Sequence, residues 1–433
     1  MEEPVARPVA GEAFAYATAR LSPTARRILE AAHHVLTRDG YEGLTLRRIA
    51  AEAGETKSLI IYHFESKAGL VATLVDSLWH DTDVALVDGL REPPDPLTGH
   101  ARELIALHRD LALQTSLYAT YFDLLPYILR DRDARRRLAE FYDSYRRIGA
   151  MCLESSVVPR EDRDALTTLL LGIGEGVAAQ ALIDPDVVDT EGVFGLLAEM
   201  LHASLGGPAG PLVAELREAV DWESGAPPLP PEAEPDPAGD LAPVAVNLLT
   251  AARRVVHERG FRALTLETVA ARAGEPRSAV SYYFGDKRGL VDRLHASVAY
   301  ENRTLVRRAV RRLPAGVERI PAVIAAQERA LTRLTPFRCH YEMLPVVLRD
   351  EALRAREAST HRGLRDALAG CLAGSDEPGR LRCLQGLASL TIAAPAGLAI
   401  QRLVASDDVD PAALHRVWTR IIMGALEAPA RHG

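Results

Sequence analysis

A short segment in the first quarter of the chain carries side chains suited to contact with nucleic-acid bases. Thr56, Lys57 and His63 can form hydrogen bonds, and Leu59 and Ile61 can offer apolar contact to thymine methyl groups. A lysine or arginine on guanine O6 and N7 is the commonest specific contact in the DNA major groove, which admits an α-helix. The segment therefore predicts a short helix whose outer face contacts DNA, provided that neighbouring helices hold it in place.

Two further helical patterns precede this segment, and glycines separate them. Apolar residues recur at helical spacing up to Gly40, where glycine suits the left-handed position after a helix. Thr45 follows as the expected N-cap of a second helix, which ends at Gly54. A helix, a glycine turn and a helix within a three-helix unit form the geometry of a helix-turn-helix DNA reader. A packed helical corner would give the same local pattern.

The same pattern occurs twice in the chain. A shift of 220 residues aligns 24–71 with 244–291 without a gap, and 21 of the 48 positions are identical. At a shift of 219, Leu124-Leu125-Pro126 reappears as Met343-Leu344-Pro345. A period this long indicates a duplicated domain rather than a solenoid, whose repeats have about 20–50 residues. With 433 residues and helical periodicity beyond each three-helix unit, we expect an all-α fold of two tandem units of about nine helices each.

Both copies resemble the tetracycline-repressor (TetR) family of transcriptional regulators. The first copy reads Leu44-Thr45-Leu46-x-x-Ile49-Ala50-x-x-Ala53-Gly54 and then Tyr62-His63-Phe64-x-Ser66-Lys67-x-Gly69-Leu70, and the second repeats Tyr282-Tyr283-Phe284-x-Asp286-Lys287-x-Gly289-Leu290. The resemblance covers about 48 residues per copy. It implies a ligand-responsive regulator that binds DNA as a two-fold dimer. Since both halves lie on one chain, we expect an intramolecular pseudo-dimer that is monomeric as a chain.

The resemblance and a proline-rich, acidic stretch at 223–240 divide the chain. The stretch holds six prolines and five acidic residues, as extended linkers do. The expected parts are a flexible N-terminal arm (1–22), a first DNA-binding domain (23–71), a first ligand-binding and dimerisation bundle (72–222), the linker (223–241), a second DNA-binding domain (242–291) and a second bundle (292–433).

The family pattern implies roles for single residues in both heads. Lys67 and Tyr62, like their counterparts in the second copy, match positions that bind DNA phosphates. Thr45 matches a residue that caps a helix and also contacts the DNA backbone. Lys57 and Arg277 are the predicted base readers, although solvated surface cations would look the same. The predicted DNA-contacting set is Thr45, Thr56, Lys57, Ile61, Tyr62, His63, Lys67, Thr265, Arg277, Ser281, Tyr282, Tyr283 and Lys287.

The two heads differ from each other and from the usual pattern. The first has Leu59, Ile60 and Ile61 on its reading helix, of which Ile60 fits the buried position and the others are expected to be exposed. Residues 24–71 carry seven basic and six acidic side chains, whereas 244–291 carry eight and four. We therefore expect the second head to hold DNA more strongly and the operator to have non-identical half-sites.

The bundles supply the expected effector pockets and the interface between copies. The predicted pocket residues are His108, Gln114, Tyr118, Tyr121 and Phe122 in the first copy and Gln327, Phe337, His340 and Tyr341 in the second, with ordinary core packing as the alternative. Residues 166–205 are expected to pack against 380–427 through small residues, which would otherwise line each copy's own core. These small residues are Gly172, Gly174, Gly176, Ala178 and Ala179, and Ala388, Ala393, Ala394, Gly397 and Ala399.

Composition and motifs favour a local DNA reader over other classes. The net charge of −8 excludes a generally basic DNA coater, so attraction to DNA must be local. The sequence has no common hydrolase, P-loop or dinucleotide motif, which disfavours an all-α enzyme, and no cofactor or metal is expected. A thiol-based sensor and an adaptor with only one functional head remain alternatives. The longest apolar stretch, Leu169 to Ile183, is too short to span a membrane, and a cytoplasmic location with reduced cysteines is expected.

Overall fold

The computed structural model describes residues 21–77, 94–220, 241–310, 319–372, 378–406 and 409–427. Most of the expected arm (1–22) and linker (223–241) lies outside these residues. The elements within the described ranges are helices, apart from one isolated bridge between Asp95 and Gly99. The expected all-α fold is therefore confirmed.

The first copy comprises ten described helices, of which three form the head and seven follow it. In chain order they are α1 (Pro23–Gly43), α2 (Leu46–Ala53), α3 (Lys57–Phe64), α4 (67–77), α5 (Ala101–Leu113), α6 (Thr115–Ile128), α7 (Arg132–Cys152), α8 (Arg160–Ile183), α9 (Thr190–Ser204) and α10 (Pro211–Ala219).

The second copy repeats this order without a counterpart of α10 among its described residues. Its helices are α11 (Pro243–Arg259), α12 (Leu266–Ala273), α13 (Arg277–Phe284), α14 (Lys287–Val310), α15 (Arg319–Leu331), α16 (Thr335–Arg349), α17 (Glu351–Leu372), α18 (Pro378–Val404) and α19 (Pro411–Glu427). A short 3₁₀ turn covers Phe261–Ala263 after α11.

Helix α10 was not predicted from the sequence, and it adds a tenth described helix to the first copy. A proline at its first position, Pro211, suits a helix start, but the helix has only nine residues. Its apolar side chains Val213 and Leu216 are fully buried. Arg217 donates a hydrogen bond of 2.8 Å from Nε to the carbonyl oxygen of Ala425 in the second copy. Tertiary packing against the other copy therefore stabilises a segment whose own helical signal is weak.

Helices α8 and α18 pack closely against each other, as do α9 and α19. A Cβ atom on Gly176 would lie 2.1 Å from the carbonyl oxygen of Ala393, and one on Gly397 would lie 1.9 Å from that of Gly172. Only glycine permits this approach of two backbones. The predicted small-residue interface is confirmed at these positions, but Gly174 instead faces His108 of its own copy.

The contacts between the copies are reciprocal. Gln180 Nε2 donates to the carbonyl oxygen of Ser389 at 3.0 Å, and its counterpart Gln401 donates to that of Thr168 at 3.2 Å. A shift of 221 residues relates Gln180 to Gln401 and Thr168 to Ser389. When residue i of one unit contacts j of the other and j contacts i, the interface has two-fold symmetry. The two copies therefore meet about an approximate two-fold axis.

Two ion pairs between α6 and α16 obey the same relation. Arg130 pairs with the buried Glu342 at 2.8 Å, and Arg349 pairs with the buried Asp123. A shift of 219 residues exchanges the two pairs. Each also reaches a head: Glu342 accepts a hydrogen bond from the backbone N–H of Phe261, and Arg349 lies 3.4 Å from the carbonyl oxygen of Leu36. Each head therefore contacts a pair contributed by both copies.

Two helices have the length and apolarity of membrane spans. These are α8, with 24 residues, and residues 382–404 of α18, each with a mean hydropathy of 1.6 over its most apolar window. Length alone therefore does not exclude a span, because α8 begins before the apolar stretch that the sequence shows. However, 94% and 67% of the two windows are buried inside the protein, as expected for the core helices of a bundle.

Candidate DNA-binding and ligand sites

The turn between the second and third helices has the same geometry in both heads. Gly54 and Gly274 end α2 and α12 with φ angles of +67° and +71°, a left-handed conformation that glycine adopts without strain. Thr45 and Thr265 cap these helices, each accepting a hydrogen bond from the backbone N–H three residues later. The predicted caps and turns are thus confirmed, and they set the angle at which the third helix leaves the head.

The exposed face of helix α3 carries both apolar and polar side chains. Ile60 is fully buried, whereas Ile61 and Tyr62 are 40% and 79% exposed. Thr56 caps the helix by accepting from the N–H of Leu59, and Lys57 begins it in an exposed position. The expectation that Leu59 is exposed is wrong, because this side chain is half-buried and packs against the core. His63 is half-buried beside the Tyr62 ring.

Helix α13 presents a more polar face in the second head. Val280 is fully buried, Tyr282 is 82% exposed, and Ser281 is also exposed. Tyr283 is half-buried and stacks edge-on against Tyr282. Arg277 is the first residue of the helix and is exposed, with its Nε atom 2.6 Å from a carboxylate oxygen of Glu267 on α12. The predicted contact residues of this head therefore lie on or next to one exposed surface.

The lysine that begins the fourth helix rests on an aromatic ring in each head. Lys67 Nζ lies 4.3 Å from the ring centre of Tyr41, and Lys287 Nζ lies 4.9 Å from that of Phe261. Partial burial lowers the pKa of both lysines. Cation–π contact within about 6 Å holds an ammonium group in place. Sequence reasoning missed these rings, although both directly follow the first glycine of their head.

The glutamate beside the turn glycine has a structural partner in the first head. Glu55 Oε1 accepts a hydrogen bond of 2.5 Å from Arg27 Nη2 on α1. The ion pair joins the end of α2 to α1 across the three-helix unit. The acidic residue at this position therefore ties the turn to the first helix.

One predicted pocket residue of the first copy, Tyr121, contacts a buried carboxylate that the sequence did not single out. Glu175 on α8 accepts hydrogen bonds from the hydroxyls of Tyr121 and Tyr142 at 3.0 and 2.8 Å. Its burial raises the pKa of this carboxyl from 4.5 to about 8, although the two hydroxyls oppose the shift. His108 is buried against the Tyr145 hydroxyl, and burial lowers its pKa to about 4.

The other predicted residues of the first copy have different surroundings. Tyr118 is buried and stacks on Phe122, whereas Gln114 is half-buried at the corner between α5 and α6. Phe122 stacks on Tyr341 of the second copy with nearly parallel rings and 6.2 Å between their centres. A shift of 219 relates these two residues, so they meet at the two-fold axis. Phe122 and Tyr341, each expected to line the pocket of its own copy, therefore also contact each other across the interface between the copies.

In the second copy, His340 joins a buried polar cluster. Glu357 lies 2.6 Å from His295 Nε2 and 3.4 Å from ring nitrogens of both His340 and His361. Burial opposes ionisation of Glu357, but hydrogen bonds from His295 and His361 hold its pKa well below the usual range. Burial lowers the pKa of His340 to about 4. Within the described ranges, no cluster of His, Cys, Asp or Glu has an arrangement that would hold a metal ion.

Two small apolar clefts lie in the second bundle, each with a volume of about 20 Å³, enough for roughly one water molecule. One lies between α15, α18 and α19 and contains Gln327 in its wall, and the other is lined only by apolar side chains and Thr391. Gln327 also donates to the carbonyl oxygen of Thr391 at 2.6 Å. Phe337 and His340 are not among the residues that line these two clefts, and their predicted role in ligand binding stays a prediction.

The described cysteines do not have the surroundings of reactive thiols. Cys152, Cys339 and Cys383 are buried and free. Burial raises their thiol pKa values to about 11, 12 and 12 respectively. Because the thiolate is the reactive form, the raised pKa values keep these thiols in their less reactive, protonated form at neutral pH. Cys371 has no described side chain.

Comparison with known proteins finds matches to the two heads. The model of the tetR family of bacterial regulatory proteins matches residues 28–74 and 248–294. The HTH-type transcriptional regulator TtgR of Pseudomonas putida is 35% identical over 91 residues, as is the probable HTH-type transcriptional regulator ArpR of the same species. Each match covers 21% of this chain and 43% of the relative. The aligned part of the chain thus spans about two fifths of the length of these relatives.

Proposed function

The chain belongs to the tetR family of bacterial regulatory proteins and carries two of its DNA-binding heads in tandem, and on this premise we propose that it is a cytoplasmic, ligand-responsive repressor. One chain binds one operator as an intramolecular pseudo-dimer. Each head places its third helix, α3 or α13, in the major groove of one half-site. The effector is a small molecule that enters a bundle and shifts the population towards a state whose heads no longer fit the operator.

The observation that carries the pseudo-dimer is the reciprocity of the contacts between copies. Gln180 and Gln401 make equivalent bonds, and the pairs Arg130–Glu342 and Arg349–Asp123 exchange under the same operation. Two-fold regulators bind operators whose symmetry mirrors their own. An approximate two-fold axis within one chain supports the use of both heads on one DNA site.

The operator is expected to contain two half-sites of different sequence. The first head offers Lys57 and Ile61, whereas the second offers Arg277 and Ser281 at the same positions. Selection of bound duplexes from random DNA, followed by footprinting, should give a protected region with unequal half-sites. A perfect inverted repeat whose halves are equally sensitive to mutation would contradict this prediction. Loss of binding by Arg277→Ala alone, with no effect of Lys57→Ala, would favour the one-headed adaptor.

Phosphate and base contacts should respond differently to mutation. Lys67→Ala should weaken binding to all sequences by a similar factor and reduce the slope of log K against log salt by about 1, because one counterion-releasing contact is lost. Arg277→Ala should in addition lower the preference for the selected half-site, since a bidentate arginine contributes about 1–3 kcal/mol of discrimination. Salt titrations on selected and scrambled duplexes measure both effects. Identical behaviour of the two variants would refute this assignment.

A further inference from the structure

Arg277 in the second head has a partner that its counterpart in the first head lacks. The Nε atom of Arg277 lies 2.6 Å from Oε1 of Glu267, and both side chains are more than 60% exposed. Glu267 lies in the first turn of α12, two residues after the N-cap Thr265. The pair therefore joins the second helix of the head to the first residue of the third.

Base recognition depends on which guanidinium atom of Arg277 contacts Glu267. A guanidinium group reads guanine through two parallel N–H donors that face O6 and N7. In the ion pair, the guanidinium atom that approaches Glu267 is Nε, at 2.6 Å, and not one of the two terminal Nη atoms that would contact a guanine. The contact restricts the rotation of a long side chain, so less conformational freedom is left to be lost when the guanidinium becomes ordered on DNA. Glu267 itself stays ionised, because its own backbone N–H, followed by Arg277 and Thr265, holds the pKa of this carboxyl below the usual range.

The first head has the opposite charge at the matching position. Arg47 occupies the place of Glu267, and Lys57 occupies the place of Arg277. Both side chains are exposed. Two cations cannot form an ion pair, so the first head lacks this means of orienting its predicted base reader. The chain thus contains a natural comparison between a supported and an unsupported reading residue.

We propose that Glu267 is a positioning residue for sequence recognition, which holds the guanidinium of Arg277 for a bidentate contact with a guanine in the half-site of the second head. This inference rests on the proposed function. Glu267 does not attract DNA, since a carboxylate near phosphates is repulsive. Its contribution is to discrimination between sequences, whereas its charge lowers the affinity for every sequence.

The test measures discrimination rather than affinity alone. The full chain is titrated against the selected operator and against the same duplex with the guanine of the second half-site replaced. In Glu267→Ala, the ratio of the two dissociation constants should fall about three- to tenfold, within the range of one bidentate contact. Glu267→Gln keeps an acceptor oxygen for Nε and should retain most of the discrimination. Glu267→Arg introduces the residue that the first head has at this position, Arg47. This variant should bind both duplexes more tightly and bring the ratio of their dissociation constants close to 1.

A matched control lies in the same head. Glu258 forms an exposed ion pair of 2.5 Å with Arg272, so Glu258→Ala removes the same charge without touching Arg277. We expect it to leave the ratio unchanged. In the Arg277→Ala background, Glu267→Ala should cause no further loss of discrimination.

The results distinguish a wrong role for Glu267 from a wrong function for the whole chain. If Glu267→Ala and Glu267→Gln raise affinity for both duplexes equally and leave the ratio intact, Glu267 acts only through its charge and the positioning role is wrong. If Glu267→Ala still lowers discrimination when Arg277 is absent, the role does not pass through Arg277 and is equally wrong. If the wild-type chain selects no sequence at all, the proposed function fails and this inference fails with it.

Discussion

Replacing Glu175 by glutamine should make the protein more stable at pH 8 than the wild type, by roughly 4–5 kcal/mol in the free energy of unfolding. The carboxyl lies in the core between α6, α7 and α8, and burial raises its pKa from 4.5 to about 8. One pKa unit corresponds to about 1.4 kcal/mol, which sets the scale of the effect. Glutamine resembles the protonated acid and retains an oxygen that can accept from Tyr121 and Tyr142.

The sign follows from proton binding in the two states. Above pH 4.5 the unfolded chain releases the proton of Glu175, whereas the folded protein retains it up to about pH 8. The unfolded state therefore binds fewer protons in this window, and the stability contributed at low pH is lost as the pH rises. At pH 4.5 the wild type and Glu175→Gln should have nearly equal stability, and the difference should grow steadily towards pH 8.

Urea unfolding at half-unit steps from pH 4.5 to 8.5 measures this difference. Glu140→Gln on α7 is a suitable control, because Glu140 is 60% exposed and pairs with Arg136 at the surface. The control should follow the wild-type curve throughout. Parallel curves for Glu175→Gln and the wild type would show that the carboxyl titrates normally in the folded protein, which would contradict its burial.

Replacing Arg349 by alanine should destabilise the protein by about 3 kcal/mol, the lower end of the range for breaking a buried ion pair, because Asp123 is buried but Arg349 is 35% exposed and partly screened by solvent. Asp123 is 3% exposed, and burial raises the pKa of its carboxyl even though Arg349 opposes the shift. Without the guanidinium, the carboxylate must be buried uncompensated or take up a proton. The cost should therefore shrink as the pH is lowered towards 5.

The reciprocal pair provides the matched comparison. Arg130→Ala leaves Glu342, whose side chain is fully buried but still accepts from the N–H of Phe261 at 3.1 Å. Arg130→Ala should therefore cost less stability than Arg349→Ala, because Glu342 keeps its hydrogen bond from the Phe261 N–H. Urea unfolding of Arg349→Ala, Arg130→Ala and the double variant Arg349→Ala/Asp123→Ala tests this order. In the double variant the stability should recover in part, since no buried charge is left without a partner.

These pairs should also affect the proposed operator binding. Each pair has one residue from each copy and also contacts a head. Its loss should therefore let the two heads move more freely relative to each other. We expect Arg349→Ala to weaken binding to the full operator more than binding to an isolated half-site in a gel-shift titration at a fixed temperature below unfolding. Equal weakening of both would mean that the pairs support the fold without coupling the heads.

The two heads could be predicted from the sequence because their signals are local. Gly40 and Gly54 mark turns, Thr45 marks a cap, and the helical period of the apolar residues marks the buried face. Interactions within a few residues along the chain determine each of these features. Leu59 is an exception, since its burial depends on how α3 lies against the core and not on its neighbours in sequence.

The charge network in the core could not be predicted in the same way. Glu175 interrupts an apolar run, and sequence reasoning used it only as an argument against a membrane span. The ring hydroxyls that bind it come from two other helices, 33 and 54 residues away. The second copy has a different polar cluster at corresponding positions. Its members His295, His340, Glu357 and His361 occupy the places of Val75, Tyr121, Leu138 and Tyr142 in the first copy.

The sequence by itself determined two helix-turn-helix heads, an all-α chain and a duplication of one unit, because periodicity, caps and repeats are visible along the chain. Tertiary structure decided where the copies meet. The bonds of Gln180 and Gln401 join residues more than 200 positions apart, and Phe122 stacks on Tyr341 of the other copy, a contact that the sequence did not predict. Such contacts depend on how whole helices pack, which residue type and spacing within one copy do not specify.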